Sequence, residues 1–260
     1  MDIVDKVAEA GAWLAGIGQE VRDGPHYRIV RNVDQPQIWD ANHLRLIRAR
    51  NDGEIREMMA AARTALAHAT HSVLHVDPRT PPAVEAWLAL EGYENDPMLQ
   101  MMLSGPLLAS PPQIDLRPVA DADDWQSFGA MLRDNFAETG PAESRGMTED
   151  VAEGLLAVAR TKAPDFQVFI AHMDGADCGY GAGGAGANGL GVVEDIYTKP
   201  AFRKRGVATA VVAHAIDFAR AGGAEDILIS AHADETPKYL YAGLGFRPVC
   251  VTRQYVKRAT

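Results

Sequence analysis

Residues 194–209 read EDIYTKPAFRKRGVAT, and this stretch decides the fold class. A strand pattern that ends at Thr198 is followed by a short turn and then by Gly206, at the start of an amphipathic helix. The start of a helix leaves backbone N–H groups without intrahelical partners and carries partial positive charge, so it can hold a phosphate or a pyrophosphate. The small residues Gly206 and Ala208 would let phosphates approach the backbone closely. The stretch therefore predicts an anion site between a strand and a helix.

Three consecutive cations, Arg203, Lys204 and Arg205, precede that glycine. Cations at the start of a helix oppose the helix dipole, so their position favours an anionic ligand. The alternative is a solvated turn at the start of a surface helix. The chain as a whole is acidic, with a formal net charge of -10, so a local group of three cations favours the ligand.

Two motifs of the second half resemble those of a known superfamily. Arg203, Gly206 and Ala208 occupy the fixed places of Gln/Arg-x-x-Gly-x-Gly/Ala, and LYAGLGF (240–246) resembles Leu-Tyr-x-x-x-Gly-Phe. On these motifs, residues 114–256 resemble the GNAT superfamily of acyl-CoA N-acyltransferases. The resemblance implies an α/β chain of the α+β type, with the GNAT fold's mixed, mostly antiparallel sheet flanked by helices.

The resemblance also implies how acetyl-CoA would bind as a co-substrate. In such proteins the backbone of the strand pairs with the pantetheine arm, and N–H groups of the loop and helix start bind the pyrophosphate. No metal is expected. The residues expected to contact the coenzyme are Ile196, Tyr197, Thr198, Arg203, Lys204, Arg205, Gly206, Val207, Ala208 and Thr209.

Acyl transfer to an amine needs a base that makes the amine neutral and an acid that protonates the departing thiolate. By resemblance, Glu194 is the expected base, acting directly or through a water; the alternative is that it only binds or pairs with a cation. Alternation along a strand points the adjacent Asp195 to the opposite face. Tyr241 matches the tyrosine that protonates the coenzyme thiolate.

The expected activity is therefore N-acetyl transfer to a primary amine on a small molecule or a peptide, without a covalent enzyme intermediate. The acidic charge favours a cationic acceptor, such as a polyamine, an aminoglycoside-like amine or a peptide amino terminus. The alternative is a non-catalytic acyl-CoA-binding protein with a regulatory or interaction role.

Some residues depart from the superfamily pattern or compete with it. Asp234 and Pro237 stand where the family often has asparagine and alanine, which puts the contact of that helix with the coenzyme in doubt. His214 and His232 could transfer protons, but an isolated histidine is more often a surface or packing residue. The two cysteines fit no metal or redox spacing.

The chain divides into two halves. We expect an accessory α/β domain over residues 1–103, a proline-rich linker over 104–113, and the acyltransferase domain over 114–260. The segments at 73–94 and 228–247 share the order strand, acidic residue, Thr-Pro, helix and Gly-aromatic, which favours tandem duplication over coincidence.

The first half has no counterpart of the phosphate loop. The segment before its helix reads RARNDGEIREMM (48–59), with a single glycine and acidic neighbours. The first half is therefore expected to be a degenerate GNAT-like unit that shapes the substrate pocket or supports the second half.

Local patterns predict several further elements. Apolar residues from Ile3 to Val21 at helical spacing predict an opening helix, and 26–33 and 37–47 predict an antiparallel pair of strands. The glycine-dense segment 178–187 predicts a strand that turns at Asn188-Gly189. A helix is expected from about Lys204 to Ala221.

Composition and charge limit the class of protein. With 47% apolar and 23% charged residues the chain is an ordinary globular protein. Its sequence pI of 5.2 disfavours nucleic acid and anionic membranes as partners. No secretory signal or membrane-spanning run is seen, so a cytoplasmic location is expected. A homodimer is compatible with the resemblance.

Overall fold

The structure is a computed structural model that describes residues 1–139 and 148–258. The chain forms two compact units. The first unit contains Met1–Met101, Ser230–Leu240 and Arg247–Thr260, and the second contains Met102–Ile229 and Tyr241–Phe246. Within the described residues, no helix is both long and apolar enough to cross a membrane.

The first unit is a sheet with helices. Its strands follow the order β1-β2-β3-β4-β11-β5. Two helices, α2 and α3, contribute Met58 and Leu88 to a core that also contains Leu44 and Leu74 from the sheet. Its elements are α1 (Ile3–Gly16), β1 (Glu20–Asp23), β2 (Arg28–Arg31), β3 (His43–Arg45), α2 (Asp52–Ala65), β4 (His71–Val76), α3 (Pro82–Leu90), most of β5 (Glu94–Ser104) and β11 (Arg247–Arg258).

The division into units differs from the predicted domain boundaries. Residues 247–258, expected in the second domain, lie in the first unit because β11 pairs antiparallel with β4, from Arg253 opposite Val76 to Arg258 opposite His71. The two partner strands are far apart in the sequence, and periodicity alone gives no information about such a pairing.

The amino-terminal elements follow the predicted patterns in part. The pairing of β2 with β3 is antiparallel, as expected, with Val30 opposite His43. The opening helix was predicted to reach Val21, and this was wrong. It ends at Gly16, because Gly18 takes a left-handed φ of 67°, and Val21 lies in β1.

The second unit is also built on a sheet, with the strand order β10-β9-β8-β7-β6. The pairs of β6, β7, β8 and β9 are antiparallel, whereas β9 and β10 are parallel. Its elements are β6 (Asp115–Pro118), α4 (Ala122–Thr139), α5 (Glu149–Lys162), β7 (Phe166–Met173), β8 (Ala176–Ala187), β9 (Leu190–Thr198), α6 (Val207–Ala221), the first part of β10 (Asp226–His232) and the end of α7 (Pro237–Leu244).

The glycine-dense strand β8 and its turn are as predicted. Ala187 pairs with Leu190, and both turn residues, Asn188 and Gly189, have positive φ angles of 55° and 75°. These angles match the twist of a two-residue hairpin.

The glycines of β8 allow α6 to approach the sheet closely. A Cβ at Gly181 would lie 2.4 Å from a methyl carbon of Val211, and a Cβ at Gly183 would lie 2.9 Å from Cβ of Ala215. Since alternate residues of a strand share a face, and residues four apart share a helix face, glycine at every second position matches this packing. The glycine run therefore places α6 close against the sheet.

Candidate active site

The strand β9 leaves its parallel partner before it ends. Its pairing with β10 covers Leu190 to Val193, whereas its pairing with β8 continues to Thr198. Asp195 has a φ of 59°, and the register with β8 shifts between Glu194 and Tyr197. This is a β-bulge, which bends a strand and changes where its side chains point.

The bulge corrects one expectation about the site. Strict alternation would place Asp195 away from Glu194, but the bulge interrupts the alternation there. The charges of both Asp195 and Glu194 raise the pKa of Tyr241. Asp195 thus adds negative charge near Tyr241, which strict alternation did not indicate. An aspartate tolerates a left-handed φ better than most residues, but this gives only a weak signal in a sequence.

Tyr241 is the buried phenol of the site. Its side chain is 5% exposed, and its ring lies 6.2 Å from that of Phe246. Burial, followed by the charges of Asp195 and Glu194, raises the pKa of Tyr241 to about 12. The phenol is therefore protonated near neutral pH and can donate a hydrogen bond. Gly245, with a φ of 109°, ends the helix and returns Phe246 toward the tyrosine.

The loop after β9 forms an open helix start. Pro200 to Phe202 make a 3₁₀ turn, and both Lys204 and Gly206 have left-handed φ angles of 59° and 85°. The helix α6 therefore begins at Val207, three residues later than predicted. Its N-cap is Gly206, which has no side chain to satisfy the N–H groups of the first turn. Those groups are available to an anion.

The guanidinium of Arg203 is engaged by protein groups. Its Nε donates to the carbonyl oxygen of Thr198 at 3.0 Å, and its Nη2 donates to Glu138 at 2.7 Å. This hydrogen bond to the Glu138 carboxylate raises the pKa of Arg203. The expected coenzyme contact of Arg203 is thus, in this structure, a link from the loop to the end of β9 and to α4.

The two other cations of the loop differ in their contacts. Arg205 donates to Asp174 at 2.6 Å and lies 5.5 Å from the centre of the Phe202 ring. Lys204 is exposed, and it makes no hydrogen bond or ion pair with residues 1–139 or 148–258. Lys204 is therefore the cation of the loop that a phosphate could reach without displacing a described partner.

Two tyrosines support the end of β9. The rings of Tyr180 and Tyr197 are 5.5 Å apart, and Asn135 donates a hydrogen bond to the Tyr180 hydroxyl at 2.9 Å. Burial, and then the charges of Glu138 and Asp134, raise the pKa of Tyr197. Tyr197 is thus a packing residue, and only its backbone can serve the predicted contact with pantetheine.

Thr198 carries an unsatisfied polar atom beside this backbone. Its Oγ1 is buried and has no hydrogen-bond partner among the described residues. Buried polar atoms usually have a partner from protein, water or ligand. Ile196 is half-buried and packs against the start of α6.

The remaining candidate residues of the sequence analysis lie in positions that suit packing or surface roles. His214 makes an edge contact with Phe169, with ring centres 4.5 Å apart, and His232 Nδ1 lies 3.1 Å from Asp96. Pro237 is the first residue of α7, where proline fits without loss of a hydrogen bond. Asp234 is exposed. Among the described residues, no group of three or more His, Cys, Asp or Glu is placed to hold a metal ion.

Comparisons with known proteins agree with this geometry. Residues 164–248 match the family model described as "Acetyltransferase (GNAT) domain". This segment includes β7 to α7, and hence the strand β9 that leaves its partner, the loop before α6 and Tyr241. No curated protein matches the chain.

Solved structures share the fold across nearly the whole chain. A GCN5-related N-acetyltransferase from Kribbella flavida aligns with a TM-score of 0.70 at 19% identity, covering 99% of this chain and 96% of that one. A functionally unknown conserved protein from Staphylococcus epidermidis aligns with a TM-score of 0.70 at 10% identity, covering 94% and 96%.

A third solved structure bears on the two halves. A tandem GNAT protein from the clavulanic acid biosynthesis pathway aligns with a TM-score of 0.60 at 15% identity, covering 99% of this chain and 94% of that one. At these identities the likeness concerns the fold. The predicted fold class, the GNAT fold with a mixed, mostly antiparallel sheet flanked by helices, is confirmed.

Proposed function

We propose that this chain, which has the GNAT fold and whose residues 164–248 match an acetyltransferase domain, is an acetyl-CoA-dependent N-acetyltransferase that acts on a primary amine. One observation carries the proposal. The second unit combines an open helix start at Gly206, a strand that leaves its partner after Val193, and a buried protonated phenol at Tyr241. Each of these features has a separate use in acyl transfer from a coenzyme A thioester.

The coenzyme would bind along one path. The pyrophosphate would accept hydrogen bonds from N–H groups of Arg205 to Thr209, with Lys204 as the loop cation that has no partner among the described residues. The pantetheine arm would lie along β9 from Ile196 to Thr198, beyond the last residue that pairs with β10. The Thr198 hydroxyl would then find a partner in a pantetheine amide or a water.

In the reaction, a bond forms from the amine nitrogen to the thioester carbonyl carbon, and the carbon–sulfur bond breaks. Glu194, directly or through a water, takes the proton that the amine must lose. The electron pair of the broken bond goes to sulfur, which leaves as a thiolate. Tyr241 donates a hydrogen bond and then the proton to that thiolate.

The two carboxylates link the base to the acid. An ordinary thiol has a pKa of about 8.5, so proton transfer to its thiolate from a phenol with a pKa of about 12 is unfavourable. When Glu194 accepts a proton, one of the two negative charges that raise the pKa of Tyr241 is lost. The phenol then becomes more acidic at the step in which the thiolate departs.

The test is thiol release from acetyl-CoA in the presence of a panel of primary amines, including polyamines, aminoglycoside-like amines and peptides. Tyr241→Phe should lower kcat by roughly 100-fold, since removal of a general acid usually costs that much or more. The dissociation constant for coenzyme A should stay nearly unchanged. A wild-type protein that binds the coenzyme tightly but turns over none of the amines would instead support a non-catalytic acyl-CoA-binding protein.

A further inference from the structure

The predicted linker is packed along α6, the helix whose first turn is the proposed pyrophosphate site. The Gly105 carbonyl oxygen accepts a hydrogen bond from Nη2 of Arg220, in the last turn of α6. At the other end, Pro112 lies at Gly206, the N-cap of α6. Both contacts are made within the second unit. We call residues 105–112 the strap.

The lengths of the strap and the helix agree. Fifteen helical residues span about 22 Å at 1.5 Å per residue. Seven steps of proline-rich chain can span up to about 22 Å at 3.1 Å per residue. Between the two ends, the N–H of Leu108 donates to the carbonyl oxygen of Leu244 at 3.0 Å. The strap therefore runs antiparallel to α6, from its last turn to its first.

The contact at Pro112 is close. A Cβ at Gly206 would lie 2.5 Å from Cγ and 3.1 Å from Cδ of Pro112, so the proline ring contacts the backbone of the glycine. The next apolar residue, Ile114, packs in the cluster of Val207, with Phe202 from the preceding turn. The turn that sets the direction of the first N–H groups of α6 is thus covered by the end of the strap.

We propose that Pro112 is a positioning residue for coenzyme binding, which holds the Gly206 turn so that the N–H groups at the start of α6 stay directed at the pyrophosphate. This role of Pro112 rests on the proposed function. Gly206 has a left-handed φ of 85° and, as a glycine, many alternative conformations. A rigid ring against its backbone restricts those alternatives, and a preorganised site binds more tightly.

The test compares acetyl-CoA with S-acetylpantetheine, which lacks the diphosphate. Pro112→Ala should raise KM for acetyl-CoA about 5- to 10-fold at unchanged kcat, as expected for a loss of preorganisation. Its kcat/KM for S-acetylpantetheine should stay unchanged. Pro111→Ala is the matched control, because it also removes a proline from the exposed strap but not the one at Gly206, and it should resemble the wild type.

Two further results decide the matter. Pro112→Val keeps an apolar side chain of similar bulk and should restore most of the affinity; it also serves if the alanine variant is too unstable to assay. Equal effects of the Pro111 and Pro112 substitutions, or equal losses with both thioesters, would reject the role of Pro112. A wild-type protein that binds no coenzyme A would reject the proposed function. If the wild type binds coenzyme A normally and the Pro112 variants do so equally well, only the role of Pro112 is rejected.

Discussion

The helices α2 and α6 begin at corresponding points of the two halves, each between two parallel strands, but only the first turn of α2 is capped by a side chain. At α2, Oδ1 of Asn51 accepts the N–H of Glu54 at 3.0 Å, and Oε2 of Glu54 accepts the N–H of Arg50 at 2.6 Å. This resembles a capping box, except that Glu54 reaches the N–H of the residue before the N-cap, and the chain's own side chains thus occupy the start of the helix. At α6 the N-cap is Gly206, and its first turn remains open.

The strands before these helices, in contrast, share a backbone feature. Leu44 pairs with Leu74, and Leu46 then has a φ of 49°. In the second half the corresponding pair is Val193 with Ile229, and Asp195 has a φ of 59°. Both halves thus keep a residue with positive φ two positions after the last parallel pair.

The side chains at these matched positions differ in charge. In the first half, Arg45 follows the last parallel pair, at the place that Glu194 occupies in the second. The two halves thus share this backbone feature, whereas the first half has neither the glycine N-cap nor the carboxylate that the second half carries at the matched positions. The proposed chemistry therefore belongs to the second unit alone.

The difference between the two helix starts can be removed by giving α6 the carboxylate that α2 carries. Thr209 and Glu54 both stand three residues after their N-caps. Thr209→Glu should weaken coenzyme A binding by about 100-fold, because its carboxylate would accept the same N–H groups and repel the pyrophosphate. The same substitution should stabilise the helix by about 0.3–1 kcal/mol.

Isothermal titration with coenzyme A and thermal unfolding would measure the two effects. Thr209→Gln is the control, since it has the size of glutamate without the charge, and most of the affinity should remain. A glutamate variant that binds coenzyme A as well as the wild type would show that the start of α6 is not the pyrophosphate site.

Much of the second unit could be predicted from local sequence. The loop at Gly206, the hairpin at Asn188-Gly189 and the motif around Tyr241 depend on neighbouring residues whose conformational preferences are strong. The pairing of β11 with β4 could not be predicted, because it joins residues about 180 positions apart. The left-handed conformation of Asp195 and the ion pair of Arg203 with Glu138 depend on tertiary context in the same way.

A buried histidine of the first unit, His75, should make the stability of the protein depend on pH. Burial, followed by the positive charge of Arg45, lowers the pKa of His75 to about 4, with the charge of Asp40 opposing. Gln254 Nε2 donates to Nε2 of His75 at 3.4 Å, a bond that only the neutral ring accepts. Because the folded pKa is below the unfolded value of about 6.5, His75 favours the folded state above pH 6.5, and this contribution is lost as pH falls toward 4.

We therefore expect the free energy of unfolding of the wild type to fall between pH 6.5 and 4 more steeply than that of His75→Gln. Glutamine keeps a polar side chain but does not titrate. Urea unfolding at several pH values would measure the difference, and all carboxylates contribute equally to both proteins. Parallel pH profiles for the two proteins would show that His75 titrates normally in the folded state.

The smallest expected effect is on the capped helix. Asn51→Ala removes the side chain that accepts the N–H of Glu54, and loss of an N-cap typically costs about 1 kcal/mol of stability. Asn51→Asp keeps the acceptor and should cost much less. Both variants should bind coenzyme A as the wild type does, because α2 has no part in the proposed site. Weaker coenzyme binding by Asn51→Ala, in a protein that is still fully folded, would mean that the first unit contributes to the site and that the contrast between the two helix starts is incomplete.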